Sequence, residues 1–153
     1  MSLRNKIDDD YKQSIKNKDQ QKIDTLRLIR SAIKDKDIST RTSENKEGIN
    51  DAEILNLLIN LIKQRKDSIE QFQKAKRDDL IKGEQSEIEI IKEYLPKQKT
   101  QEETEKIINE IISSNNLKSI KDMGKLMSVI KNDYAGEVDM GLVGKIAKSK
   151  LIN

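Results

Sequence analysis

The feature that most constrains this chain is an apolar period of helical spacing that runs to a single proline, Pro96, and resumes after it. Leu3, Ile7, Tyr11 and Ile15 recur every four residues and predict a first helix with one inward stripe. Asp19 is placed to cap a second helix. On it Leu26, Ile29 and Ile33 face inward, with Leu28 and Ala32 broadening the stripe. Residues 39–49 carry no period and predict a mobile loop. Asn50 with Glu53 resembles a capping box, opening a long helix over about 51–73, roughly 36 Å at 1.5 Å per residue. Its stripe is Ile54, Leu58, Leu61, Ile62, Ile69 and Phe72. The helical pattern breaks around 74–78, and Arg77, Asp78 and Asp79 read as a turn into a fourth helix that faces Leu80, Ile81, Ile88, Ile91 and Leu95 inward. Pro96 stops it, because proline disfavours helix in the residue before it.

Beyond Pro96, residues Lys97, Gln98 and Lys99 read as a linker. Thr100 and Glu103 form a second capping box, followed by Ile107, Ile108, Ile111 and Ile112. Ser119 and Asp122 form an acidic variant of the box, followed by Met123, Leu126, Met127 and Ile130. Gly124 costs about 1 kcal/mol against Ala inside a helix. Either a helix packs closely on it or a ligand backbone approaches it, and packing is the expectation. Met123, Met127 and Met140 read as core at helical spacing. Gly136 and Asp139 fit a turn and an N-cap before a last helix that buries Val143, Ile146 and Leu151. No β alternation and no repeat is visible. The predicted fold is all-α: an N-terminal four-helix part over 1–96, then a small three-helix part over 97–153.

Composition excludes several chemistries. Cysteine and histidine are missing, so there is no thiol nucleophile, imidazole base, disulfide or ordinary zinc site. The six glycines fit neither nucleotide-loop pattern. Glu84, Glu87, Glu89 and Glu93 read as a solvated helix face beside lysines. No catalytic residue, metal ligand or cofactor site is therefore expected. Forty of the 153 residues are Leu, Ile, Val or Phe, more than a disordered chain carries. The N-terminus has no apolar secretion core. The densest apolar window, Ile54 to Ile62, is too short to cross a bilayer. These features predict a cytoplasmic protein without a membrane partner.

The net charge is only +3, too little to predict nucleic-acid binding alone. The arrangement of the bases says more. Arg27, Arg30 and Lys34 fall within roughly 60° of one another at 100° per residue, opposite the stripe of the second helix. In the C-terminal part, Lys121 and Lys125 stand one turn apart, as do Lys145 and Lys148. Such pairs suit phosphates, although a chain with 24 Lys and 6 Arg also lines any solvated helix with bases. Interleaved aromatics for base stacking are missing, so contact would be with backbone and shape.

Several strings together carry a resemblance: Thr25-Leu26-Arg27-Leu28-Ile29, residues Ile62 to Ile69, Glu93-Tyr94-Leu95-Pro96, residues Asp122 to Met127, and the ending Lys150-Leu151. In this order and spacing the chain resembles the YqeY-like proteins of the GatB/YqeY family over nearly its whole length. That resemblance implies an all-α fold whose C-terminal part is similar to the tail of the B subunit of tRNA-dependent amidotransferase. In that glutamine-dependent carbon–nitrogen ligase the tail engages the tRNA body, and the chemistry occurs elsewhere. The implied function is a stand-alone module that binds tRNA, or that assists such an amidotransferase or an aminoacyl-tRNA synthetase. No catalytic residue comes with it. Many relatives carry a base after the glycine before the last helix; here the string reads Gly136-Glu137-Val138-Asp139, with an acid in that place. An adaptor without RNA affinity is the alternative, and an amidotransferase-type enzyme in its own right ranks last.

Overall fold

A computed structural model describes residues 2–44 and 46–152; Met1, Asn153 and Asn45 of the expected loop lie outside them. The described residues form seven α-helices and one 3-10 turn, Ile120–Asp122, with no strand. The helices are α1 Leu3–Lys16, α2 Gln20–Ser39, α3 Asp51–Lys74, α4 Asp78–Lys92, α5 Gln101–Ser114, α6 Met123–Asp133 and α7 Met140–Lys150. The expected all-α class, four helices followed by three, holds. The chain divides into two compact units, Met1–Leu95 and Pro96–Asn153.

Local chemistry sets the helix starts. The Asp19 carboxylate accepts from the Lys22 N–H at 3.2 Å and opens α2. Both arms of the Asn50–Glu53 box are made, as are both arms of the Thr100–Glu103 box. Each such cap contributes about 1 kcal/mol. Asp122 accepts from the Lys118 and Ser119 N–H groups at 2.7 and 3.2 Å. Ser119 opens into a 3-10 turn rather than an α-helix, and α6 begins only at Met123.

Each unit closes on its own core. Ile7, Leu26, Ile29, Ile54, Leu58 and Ile91 are fully buried in the first, and Ile108, Leu126, Ile130, Val143 and Leu151 in the second. Several expected inward residues point outward. Ile15 is 47% exposed and Ser14 is buried in its place, with its hydroxyl donating to the Tyr11 carbonyl at 2.7 Å. A four-residue repeat gains 40° per step on a 100° helix, so the stripe that holds Leu3, Ile7 and Tyr11 has rotated out by Ile15. Leu28 is 44% exposed because it lies 200° from buried Leu26. Leu80 is also exposed, whereas Ile81, the next residue and 100° round the helix, is buried, so the inward face of the first turn of α4 passes through Ile81 alone.

Gly124 corrects the packing expectation. A Cβ placed there meets no atom within 4 Å. It sits exposed in the first turn of α6. The expected linker after Pro96 is also more ordered than a linker. The Gln98 side-chain amide donates to the Gly136 carbonyl, and the Lys99 N–H donates to the Glu137 carbonyl at 2.7 Å. This ties the strap to the turn before α7. Gly136 is buried there with φ +77°, a conformation that favours glycine. Asp139 caps α7 through the Gly141 and Leu142 N–H groups.

Candidate functional site

Two groups of bases survive as candidates, one in each unit. In the first unit, α1 and α2 run antiparallel and their polar edges meet in a groove of about 370 Å³. Arg27, Arg30 and Lys34, grouped by the sequence on one face of α2, all line it, joined by Arg4, Asp8 and Asp37. They flank the apolar stripe instead of opposing it: Arg30 lies 40° from Leu26 at 100° per residue, and Ile33 of the stripe lines the same groove. The Arg4 guanidinium grips Asp37 with two bonds of 2.8 and 2.9 Å. Arg4 also donates to the Ile49 carbonyl at 3.0 Å, and Asp37 accepts the Ile49 N–H at 2.8 Å. The hydrogen bonds from Arg4 hold the Asp37 carboxyl below the usual range against the effect of its burial. This pair ties the end of the loop over 40–50 to α1 and α2.

Farther along the groove, Arg30 Nε donates to Asp8 at 2.8 Å and its guanidinium carbon lies 4.4 Å from the Tyr11 ring centroid. A carboxylate on one edge and an aromatic ring on one face hold the guanidinium in place. Arg27 stands 3.9 Å from Asp24, and the neighbouring Tyr11 hydroxyl raises its pKa. Lys34 is exposed on the groove edge. The sequence grouped the α2 bases but missed Arg4, Asp8 and Asp37. Arg4 and Asp8 are one turn apart on α1, a signal that gains meaning only once the pairing of α1 with α2 is known.

In the second unit Lys121, Lys125, Lys145 and Lys148 are all exposed. Lys145 and Lys148 share one face of α7. Lys121 and Lys125 do not share one continuous helix: the first lies on the 3-10 turn and the second in the opening turn of α6. Gly124 between them is open to solvent. At the departing position, Glu137 lies 3.8 Å from Lys99, so the acid is turned to a neighbour within the unit. The carboxylates of α4 are not uniformly solvated either. Glu87 accepts from the buried Arg65 at 2.8 Å, and burial followed by the charge of Glu87 raises the pKa of Glu84. No cluster of three or more acids placed for a metal occurs among the described residues. No helix among them is long and apolar enough to cross a membrane.

A family model described as Yqey-like protein matches residues 4–151. The chain belongs to the YqeY-like family. The match spans both units and so includes the α1–α2 groove and the four exposed lysines. Among curated proteins, the chain is 36% identical over 122 residues to altered inheritance of mitochondria protein 41, mitochondrial, of Lachancea thermotolerans. That alignment covers 76% of this chain and 63% of the relative. The protein of the same name in Saccharomyces cerevisiae strain S288c is 40% identical over 86 residues, covering 56% of this chain and 44% of its own length. The YqeY-like chain thus spans only part of the length of these relatives. Their names overturn the cytoplasmic expectation, since these relatives are mitochondrial proteins. The physical reason is that a missing apolar core argues only against secretion; matrix targeting uses amphipathic, arginine-rich segments instead.

Proposed function

We propose that this YqeY-like chain is a non-catalytic helical module that binds folded tRNA or assists a tRNA-dependent amidotransferase or an aminoacyl-tRNA synthetase. Its main contacts are lysines of the C-terminal unit, with the α2 face in support. One observation carries this reading. Lys121, Lys125, Lys145 and Lys148 are exposed and form no ion pair among the described residues, whereas Lys99 and Lys150 are matched by Glu137 and Glu105. Unmatched lysines gain most from a phosphate backbone, because each contact releases condensed counterions. The mitochondrial names of the relatives make organellar tRNA the first probe.

The test is a titration of labelled tRNA at several salt concentrations. Binding weakens steeply with salt, and each lost phosphate contact lowers the log–log slope by about 0.7–0.9. Lys125→Glu with Lys148→Glu weakens binding to all tRNAs alike while helical content stays unchanged. No binding by the wild type at low salt, or equal binding by the variant, replaces this reading with the adaptor. The adaptor has its own observation: Ile15, Leu28 and Ile38 are exposed apolar side chains of the first unit, with Ile38 at 63%. A glutamine-dependent carbon–nitrogen ligase acting alone is disfavoured because the chain has no Cys or His to activate a nucleophile. Ammonia release from glutamine by the purified chain, free of contaminating enzyme, would restore it.

A further inference from the structure

The α1–α2 groove has the charge arrangement of a small anion site, independent of the lysines in the other unit. Its lining holds four cations and two carboxylates. Both carboxylates are already committed. Asp37 is held by Arg4 and by the Ile49 N–H, and Asp8 by the Nε of Arg30. The cations are less committed. Arg30 uses only Nε, and its two Nη nitrogens bond no group among the described residues. Lys34 has no ion-pair partner among the described residues, and the exposed end of Arg27 has the Tyr11 hydroxyl beside it and Asp24 at 3.9 Å. Within the groove lining, the pairs Arg4–Asp37 and Arg30–Asp8 leave the charges of Arg27 and Lys34 over, gathered on one face of α2, with Asp24 outside the lining offsetting Arg27 only through a long, exposed pair.

We infer that this groove binds a phosphate group, held by the Nη nitrogens of Arg30 together with Arg27 and Lys34. A phosphate monoester carries close to two negative charges at neutral pH and several acceptor oxygens, matching the residual charge and the number of unused donors. The planar arginine fork matches the spacing of such oxygens. The Asp8 bond and the Tyr11 ring fix the Arg30 guanidinium in advance, so little side-chain freedom is lost on binding. At about 370 Å³ the groove is at the lower end of small-molecule sites, ~300–1,000 Å³, with room for a phosphate and a small ester group. The phosphate could come from a phosphorylated small molecule or from an RNA backbone.

The test uses the full ¹⁵N-labelled chain titrated with inorganic phosphate at constant ionic strength. Saturable shifts at the amides of residues 27–34 and at the Arg30 Nε–H are the expected result. Arg27→Ala with Lys34→Ala should weaken binding about tenfold or more through loss of charge-assisted bonds. Both side chains are exposed, and a thermal melt confirms that the variant stays folded. Phenyl phosphate and tRNA then separate the sources. Phosphate that displaces tRNA signals from residues 27–34 assigns the site to RNA. Saturation by phenyl phosphate, with those signals untouched by tRNA, assigns it to a small phosphorylated molecule. Shifts that never saturate, or that saturate equally in the variant, overturn the site. A chain that saturates with phosphate yet binds no tRNA keeps the groove and sinks the tRNA reading; loss of tRNA binding in Lys125→Glu with Lys148→Glu, with no saturation by phosphate, does the reverse.

Discussion

Arg65 on α3 donates through Nε to Glu87 on α4 at 2.8 Å, and through Nη1 to the Leu61 carbonyl at 2.9 Å. Arg65 is 7% exposed, so its charge depends on one carboxylate and one carbonyl for the hydration it has lost. Glu87 keeps a third of its side chain in water, which softens the pair. Removing one member leaves the other poorly matched, while removing both together costs less. Arg65→Ala should therefore destabilise the first unit by ~2–3 kcal/mol, including the lost packing of the aliphatic stem. Arg65→Met with Glu87→Gln should recover most of that loss. Urea denaturation together with exchange of core amides in α3 and α4 measures both; equal losses in the single and double variants would show that the ion pair is irrelevant.

Glu84, close to this pair, bears the opposite effect. Its pKa is raised by burial and by the charge of Glu87. The folded state therefore holds its proton more tightly than the unfolded chain, and ionised Glu84 is a cost at neutral pH. That cost is fully present above the folded pKa and disappears as pH falls below the unfolded value. Glu84→Gln should stabilise the first unit at pH 7 and lose its advantage at pH 4. Denaturation midpoints at the two pH values provide the check, and a gain independent of pH would show that ionisation is not the cause.

The sequence made the helices legible because caps and period act locally. Asp19, Asn50, Glu53, Thr100 and Glu103 need only neighbours within one turn. Residues that depend on another element were less legible. Ile15 continues a repeat of four, but only the phase of the whole helix against α2 shows that the stripe has turned away from the core. Nothing local marks Arg65, because its partner Glu87 comes from α4, 22 positions away. For the same reason Arg27, Arg30 and Lys34 could be grouped from spacing alone, whereas the acids that offset part of their charge come from α1 and from the end of α2. Pro96 was legible as a helix stop, but the ties of Gln98 and Lys99 to residues 136–137 span nearly forty positions and leave no local pattern.

The loop anchor at Asp37 supplies a third prediction. Asp37 is acidified chiefly by its bonds from Arg4, so the stability it contributes is present above the unfolded pKa and is lost as pH falls through the lower folded value. The Ile49 N–H bonds directly to this carboxylate, so its proton chemical shift reports the titration. The midpoint should lie below the ordinary aspartate range and move upward in Arg4→Gln. Gly48 closes on the same carboxylate: its φ is +91°, and a Cβ would lie 2.5 Å from the Asp37 Oδ1. Gly48→Ala should cost about 1–3 kcal/mol of anchoring, read as faster exchange at Ile49.

In the second unit, the strap and the turn before α7 support each other. Gly136 takes a positive φ while buried, and its carbonyl receives the Gln98 side chain. Gly136→Ala should cost ~1–2 kcal/mol, since Ala resists this conformation. Gln98→Ala should cost about 1 kcal/mol, close to one hydrogen bond. Because the two units have separate cores, exchange should accelerate at Ile108, Leu126 and Ile130 and stay unchanged at Leu26, Ile29 and Leu58. Equal acceleration in both cores would show that the units unfold as one.

The hydroxyl of Tyr94 donates to Asp10 at 2.6 Å, and the residue is 7% exposed. Burial first, then the bond to Asp10 and its charge, pushes the phenol pKa far above its ordinary value near 10. Below pH 10 both states hold the proton, and the bond contributes fully. Above it the unfolded chain releases its proton while the folded chain keeps it, so stability declines as pH rises. Tyr94→Phe removes both the bond and the titration. At pH 8 the variant should be less stable by about 1 kcal/mol, with Asp10 free to rehydrate. By pH 11 the gap should narrow or reverse, because wild type alone carries the proton penalty. Lysine titration is common to both chains and cancels in the difference. Urea denaturation of the pair at both pH values measures this, and a gap that stays constant would mean that the Tyr94 phenol titrates normally in the folded protein.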